Sequence, residues 1–337
     1  MTRLLVLLPL VLVGGIALVS EFSANAASRG VLLVANKGDQ TLGIIDPESG
    51  KQVATVAEGG VTGHEVIASP NGRFAYVPIY GNSGVGKPGT DGSNMIAIDI
   101  AARKVVGNLD FGHGVRPHCP QFGPKDGLLY VSTEIDNAIT VVDPHNMKIV
   151  ASIPTGKPES HMFAITRDGR YGFTTNVGSG TVSVLDMQGH KTLDVISVSP
   201  MVQRISLSVD DRLAFTSDQS KPQLAVIDTQ SRKVASWVQL PGTGYGTAPT
   251  PDGKWLVIAM PTVKQVGVLN LKTLKVEYTI DVPAAPQEVL IRPDGAVAYV
   301  SCDASHKVAE IQTSNWAVSR LIDAGPGADG LAWAAQK

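Results

Sequence analysis

Residues 161–198 read HMFAITRDGRYGFTTNVGSGTVSVLDMQGHKTLDVISV. Apolar and β-branched residues alternate through HMFAIT, YGFTTN, TVSVLD and TLDVISV, the two-residue period of half-buried strands. Between these segments lie the turn RDGR, a polar loop and the turn MQGHK. Short connections of this kind join antiparallel neighbours, so the stretch is a meander of four strands. A meander this small cannot bury its own apolar faces and needs neighbours of its own kind.

Those neighbours are present. The phrases FAYVP, LLYVS, YGFTT, LAFTS, WLVIA and VAYVS, with LLVAN near the start, align on Leu33, Tyr76, Tyr130, Phe173, Phe215, Val257 and Tyr299. These positions are separated by 43, 54, 43, 42, 42 and 42 residues. A second marker (Asp46, Asp99, Asp143, Asp186, Asp228, Asn270 and Gln312) follows each by 13 residues, except in the second repeat, where the gap is 23. The Asp series falls just before hairpin turns, where a carboxylate accepts from backbone N–H groups. No sustained helical period occurs after the N-terminal segment.

Four-stranded repeats of about 42 residues have the size of propeller blades. The first repeat has no inner strand, while the C-terminus carries a spare one, GADGLAWAA (327–335). Pairing this tail, over 329–335, with the strand at Val31–Asn36 completes a seventh blade and removes two exposed edges. The fold expected is therefore all-β, a seven-bladed propeller of four-stranded blades forming one domain over 27–337.

The stretches SPNGRFAYVP, GPKDGLLYVS and RPDGAVAYVS, together with VIDTQSRKVASW, resemble the YVTN-repeat family of seven-bladed propellers across essentially the whole mature chain. That family and its relatives include lactonase-like enzymes, cell-surface proteins and accessory proteins of periplasmic redox pathways. The resemblance implies the fold and leaves the activity open.

Arg3 followed by the apolar run Leu4–Val19 and the small-x-small pattern Ala24-Asn25-Ala26 reads as an export signal over 1–26. A periplasmic or secreted protein is expected, without a membrane span in the mature chain. Lys and Arg total 28 against 30 Asp and Glu, a net charge of −2 with no basic stripe, which argues against a nucleic-acid partner. The two cysteines, Cys119 and Cys302, belong to different blades and are expected to be unjoined.

Repeat phase also picks out a ring. The residue 12 positions before each aromatic or apolar marker is His64, His118, His161, Gln203, Tyr245 and Gln287, and the tail contributes Asp329. These positions line the mouth of the central channel. Three imidazoles in register on consecutive blades are a candidate site for Zn or Cu, with room for water or substrate. Polar side chains at a channel mouth also serve simply by bonding backbone and water, and that alternative stands beside the metal.

Around the ring, Tyr245 and Glu65 are candidate proton carriers. Arg204, Gln203, Gln287, Asp329 and Glu134 are candidate ligand contacts, with Arg204 able to grip a carboxylate or to bridge blades instead. Glu134 is expected as an exposed loop carboxylate, and His113 as a neighbour of the same entrance. The ten extra residues of the second repeat fall within IYGNSGVGKPGTDGSN (79–94), placed as a lid on the His64 and His118 side. The reading is an exported, monomeric protein binding a small polar molecule, with metal-dependent hydrolase, lyase or isomerase chemistry. Its alternative is a non-catalytic binding or scaffold protein of an envelope pathway.

Overall fold

A computed structural model describes residues 29–82 and 84–336; the export segment read over 1–26 lies outside them. Seven antiparallel four-stranded sheets form the described chain, a seven-bladed β-propeller. The blade quoted above runs Ser160–Ile165, Tyr171–Asn176, Thr181–Asp186 and Lys191–Ser197 from the inside out. The tail strand Ala328–Ala335 pairs antiparallel with Gly30–Asn36, Leu33 facing Ala332, and so closes the first blade as expected. Single 3₁₀ turns at Val177–Ser179, Pro261–Val263 and Asp303–Ser305 are the described helical segments. Among the described residues no helix is long and apolar enough to cross a membrane.

The marker residues occupy the second strand of each blade, where both faces pack against neighbouring blades. Leu33, Phe173, Phe215, Val257 and Tyr299 are all buried in these layers. The Asp markers act as read: Asp46 accepts from the N–H of Glu48 and Ser49, Asp143 from His145, and Asp228 from Ser231. His145 and His190, in the outer turns, are exposed.

One irregularity repeats around the ring. In the fourth blade Ser160 faces Asn176 and Phe163 faces Thr174, so three steps along the inner strand match two on its neighbour. The same extra residue occurs between Pro117 and Pro120, between Pro286 and Val289, and on the tail strand. In the second and fifth blades the bridges Gly63–Ile79 and Val202–Asp218 are offset by one residue from the short pairings that follow them. A bulge breaks the alternation of sides, so two consecutive residues turn to the channel instead of one. The inner strands therefore supply two layers of channel residues, the predicted ring and the residues just after it.

Candidate functional site at the channel mouth

The upper layer is the predicted ring, and its three histidines lie side by side. The rings of His118 and His161 are 3.8 Å apart between centroids, and those of His64 and His118 5.6 Å. Tyr80, fully buried, packs its ring 4.6 Å from His64 and 5.1 Å from His118. His64 is half-buried, whereas His118 and His161 are each only 2% exposed. Burial lowers the pKa of His64 to about 4 and holds His118 well below the usual imidazole range, with the neighbouring imidazoles acting in the same direction on His118. Two imidazoles of the wall, those of His64 and His118, are thus held neutral at pH 7, each with a lone pair to offer.

His161 is fixed by a chain of bonds. Its Nδ1 lies 3.1 Å from Glu134 Oε2, and its Nε2 lies 3.1 Å from Gln203 Nε2, whose Oε1 in turn accepts from Gln219. The arrangement fits a proton on Nδ1, with the amide of Gln203 donating to Nε2. Glu134 also accepts from the Tyr80 hydroxyl at 2.8 Å and from Arg116 at 3.3 Å. The expectation of an exposed Glu134 is corrected, for the residue is 1% exposed. Three donors converge on it, and they, against the opposing effect of burial, keep its pKa below the ordinary value. His118 is the opposite case: its Nδ1 is buried and has no hydrogen-bond partner.

The insertion of the second repeat is tied to this wall. Arg116 donates to the carbonyls of Gly84 and Lys87 and to the carboxylate of Asp91, all in or next to the extra loop. The same guanidinium holds Glu134, so one side chain links the loop to His161 through a carboxylate. Of this stretch, Tyr80 is the residue that packs on His64 and His118. His113 instead pairs with Asp136 at the exposed rim and makes no bond to the ring.

The second layer closes the channel beneath the mouth. Arg204, 4% exposed, reaches from the fifth blade across the channel to Glu65 at 2.7 Å, to Asp329 at 3.2 Å and to Glu288. Its guanidinium also lies 4.9 Å from the centroid of the Tyr245 ring. Lys37 holds Asp329 from the other side at 3.0 Å and Asp303 at 2.8 Å. Room for these long side chains comes from Gly246 and Gly330, which occupy this layer in the sixth and first blades. A Cβ on Gly330 would sit 2.6 Å from the backbone of Glu65, and one on Gly246 2.2 Å from the carbonyl of Gln287.

Of the sequence candidates, Arg204, Glu65, Asp329 and Tyr245 are therefore brought together as one buried ionic cluster. Gln203 joins the His161 chain, and the carbonyl of Gln287 accepts from Gly246. Burial raises the pKa of Glu65 to about 7, while Asp329, with two cations against it, is held below the usual range despite its burial. Glu288, Lys37, Tyr80 and Arg116 are the participants that phase counting missed. Glu288 had a readable signal, being the residue after a ring position, like Arg204. Among the described residues no three His, Cys, Asp or Glu side chains have their donor atoms gathered for a metal ion.

No protein-family model and no curated protein matches the chain. Solved propellers do. Hydrazine synthase from Kuenenia stuttgartiensis is similar at 21% identity and a TM-score of 0.72, over 85% of this chain and 93% of that one. Dihydro-heme d1 dehydrogenase NirN, in complex with DHE, is similar at 14% identity and a TM-score of 0.66, over 90% and 74%. A functionally unknown protein from Desulfotomaculum acetoxidans DSM 771 is similar at 13% identity and a TM-score of 0.74, over 91% and 100%. At these identities the likeness is one of fold.

Proposed function

We propose that this is an exported propeller of YVTN-repeat type whose channel mouth binds a small polar molecule on the imidazole wall, with Zn or Cu as the group that joins ligand to protein. The observation that carries the reading is His118 Nδ1, buried without a partner between the rings of His64 and His161. A buried polar atom left unsatisfied costs about 1–3 kcal/mol, which a ligand or metal bound there would recover.

The donor set suits a borderline cation. His64 and His118 make no hydrogen bonds to described residues through their rings, and His161 has the carboxylate partner on Nδ1 that commonly orients a metal-bound imidazole. His161 would give up the amide of Gln203 to join them. A metal held here supplies a Lewis acid that polarises a carbonyl or lowers the pKa of a bound water, the chemistry of hydrolysis, elimination or isomerisation. Tyr245, its pKa raised by burial, and Gln287 are the ring residues left to position a substrate. Glu65, in the layer beneath and bonded to Arg204, works through that cluster.

The test is metal analysis of tag-free protein, followed by calorimetric titration with zinc and copper salts. About one equivalent should bind, and H64A, H118A and H161A should each weaken binding at least tenfold without loss of fold. Absence of binding by the parent, or unchanged binding by all three variants, refutes the metal and favours the scaffold role in an envelope pathway.

A further inference from the structure

Below the Arg204 cluster the channel opens again, toward the face opposite the mouth. Two cavity lobes lie there, of about 300 and 400 Å³, and they share Gln121, Met162 and Glu288. The walls of the first are largely apolar, with Ile67, Ala68, Leu290 and Leu331 along the inner strands. Its ceiling is charged, for Glu65 and Glu288 both line it.

The charge at this ceiling is unbalanced. Each of these two glutamates bonds Arg204 through one oxygen, and neither Glu65 Oε2 nor Glu288 Oε1 accepts a hydrogen bond from any described residue. The Glu65 side chain is 6% exposed and that of Glu288 21%, so both sit deep in the cavity wall. Arg204 is shared among three carboxylates, and Lys37 is spent on Asp329 and Asp303. The one cation lining either lobe, Arg167, is paired with Asp211. A largely apolar wall under two carboxylates that each leave one oxygen unmatched complements a cation that carries an apolar body; the other lining group left unpaired is the buried indole Nε1 of Trp333, on the tail strand.

We propose that this lower vestibule is a second binding site, for a small organic ammonium ion. The ammonium donates to Glu65 and Glu288 from the side opposite Arg204, and its hydrocarbon part packs on Ile67, Leu290 and Leu331. The proposal does not rest on the three histidines of the mouth, which lie at the other end of the channel; Glu65 is the residue that both readings share.

Calorimetric titration of the mature protein with 2-phenylethylammonium tests it, with 2-phenylethanol and 3-phenylpropanoate as neutral and anionic analogues of similar shape. The ammonium should bind at least about tenfold more tightly than the alcohol, and the carboxylate should not bind. E288Q should cost the ammonium at least tenfold and leave the alcohol unchanged. A68F, which fills the lobe from a half-buried wall position, should abolish binding of both. H118A should leave ammonium binding as it is, which separates failure here from failure of the mouth reading. No binding of the ammonium, equal affinity for the alcohol, or loss of binding in H118A with retention in A68F overturns the proposal.

Discussion

Replacing Arg204 with Met removes the one cation among the described residues that touches Glu65 and Glu288, while Met retains much of the packing over Tyr245. Breaking a buried ion pair from one side costs about 3–5 kcal/mol, because the remaining charge stays buried without compensation. Here the cost depends on pH. Glu65 has a folded pKa raised to about 7, so even in the parent protein it takes a proton more readily folded than unfolded. Without Arg204 its folded pKa rises further. In the variant, stability then continues to fall with rising pH beyond the point where the parent has levelled off. At pH 8 the loss should reach about 2.5–3.5 kcal/mol, because one proton retained over the pH unit above 7 adds about 1.4 kcal/mol to what is lost at low pH. At pH 5 Glu65 is neutral in both proteins, and only about 1–2 kcal/mol should be lost with the bonds to Asp329 and Glu288. Denaturant unfolding at the two pH values measures this, and R204M/E65Q should recover most of the loss at pH 8. A deficit that is equal at both pH values, or below about 1 kcal/mol at both, would refute the account of the cluster as a net stabilising closure of the channel.

Three further outcomes follow from other residues. Glu58 is 3% exposed, accepts from the N–H of Gly63 at 2.7 Å, and has its other oxygen unpartnered; burial raises its pKa to about 7. An acid with a raised folded pKa contributes most stability while protonated, so this site should lose up to about 3 kcal/mol between roughly pH 4.5 and 7, and E58Q should flatten that part of the stability profile. R116A should free the 84–91 stretch and speed its cleavage by subtilisin at least tenfold at 25 °C, with the propeller otherwise resistant; an unchanged rate would mean that the guanidinium does not hold the loop. Cys119 and Cys302 are both buried and free, so denaturation without reductant should expose two thiols to alkylation by intact mass, and finding none would contradict the structure.

The blades were legible because their signals are local and repeated. A β-branched alternation, a Gly turn and an Asp cap recur at nearly constant spacing, and each recurrence strengthens the others. The same periodicity carried the ring: a fixed offset from Tyr130, Phe173 or Phe215 lands on an inner strand at the same depth, and the structure brings His64, His118 and His161 to one wall. Contacts that repeat phase does not generate were not legible. Lys37 follows the second strand of the first blade and reaches Asp329 at the far end of the sequence. Tyr80 and Arg116 belong to the irregular insertion and to an entrance loop, where spacing carries no register. Glu134 sits in a loop of ordinary polar composition, and only the convergence of Tyr80, Arg116 and His161 upon it makes it buried.

The bulge is where the two kinds of information meet. Strict alternation allows one channel residue per inner strand in this region, and counting on that basis finds the imidazoles but treats Glu65 and Arg204 as mere neighbours. The extra residue, present in six of the seven inner strands, turns the next side chain inward as well, and there the sequence holds Glu65, Cys119, Met162, Arg204, Glu288 and Gly330, with Gly246 at the equivalent position of the sixth blade. The two glycines leave space, the two sulfur-bearing residues are small or pliable, and a single arginine spans the opening to the carboxylates opposite. The bulge thus converts one ring of polar residues into a mouth and a floor. It also sets the electrostatics of both compartments, because the floor gathers more carboxylates than cations. A nearly neutral chain, with a net charge of −2 overall, in this way concentrates its acidic excess at the centre of the propeller, where little water screens it.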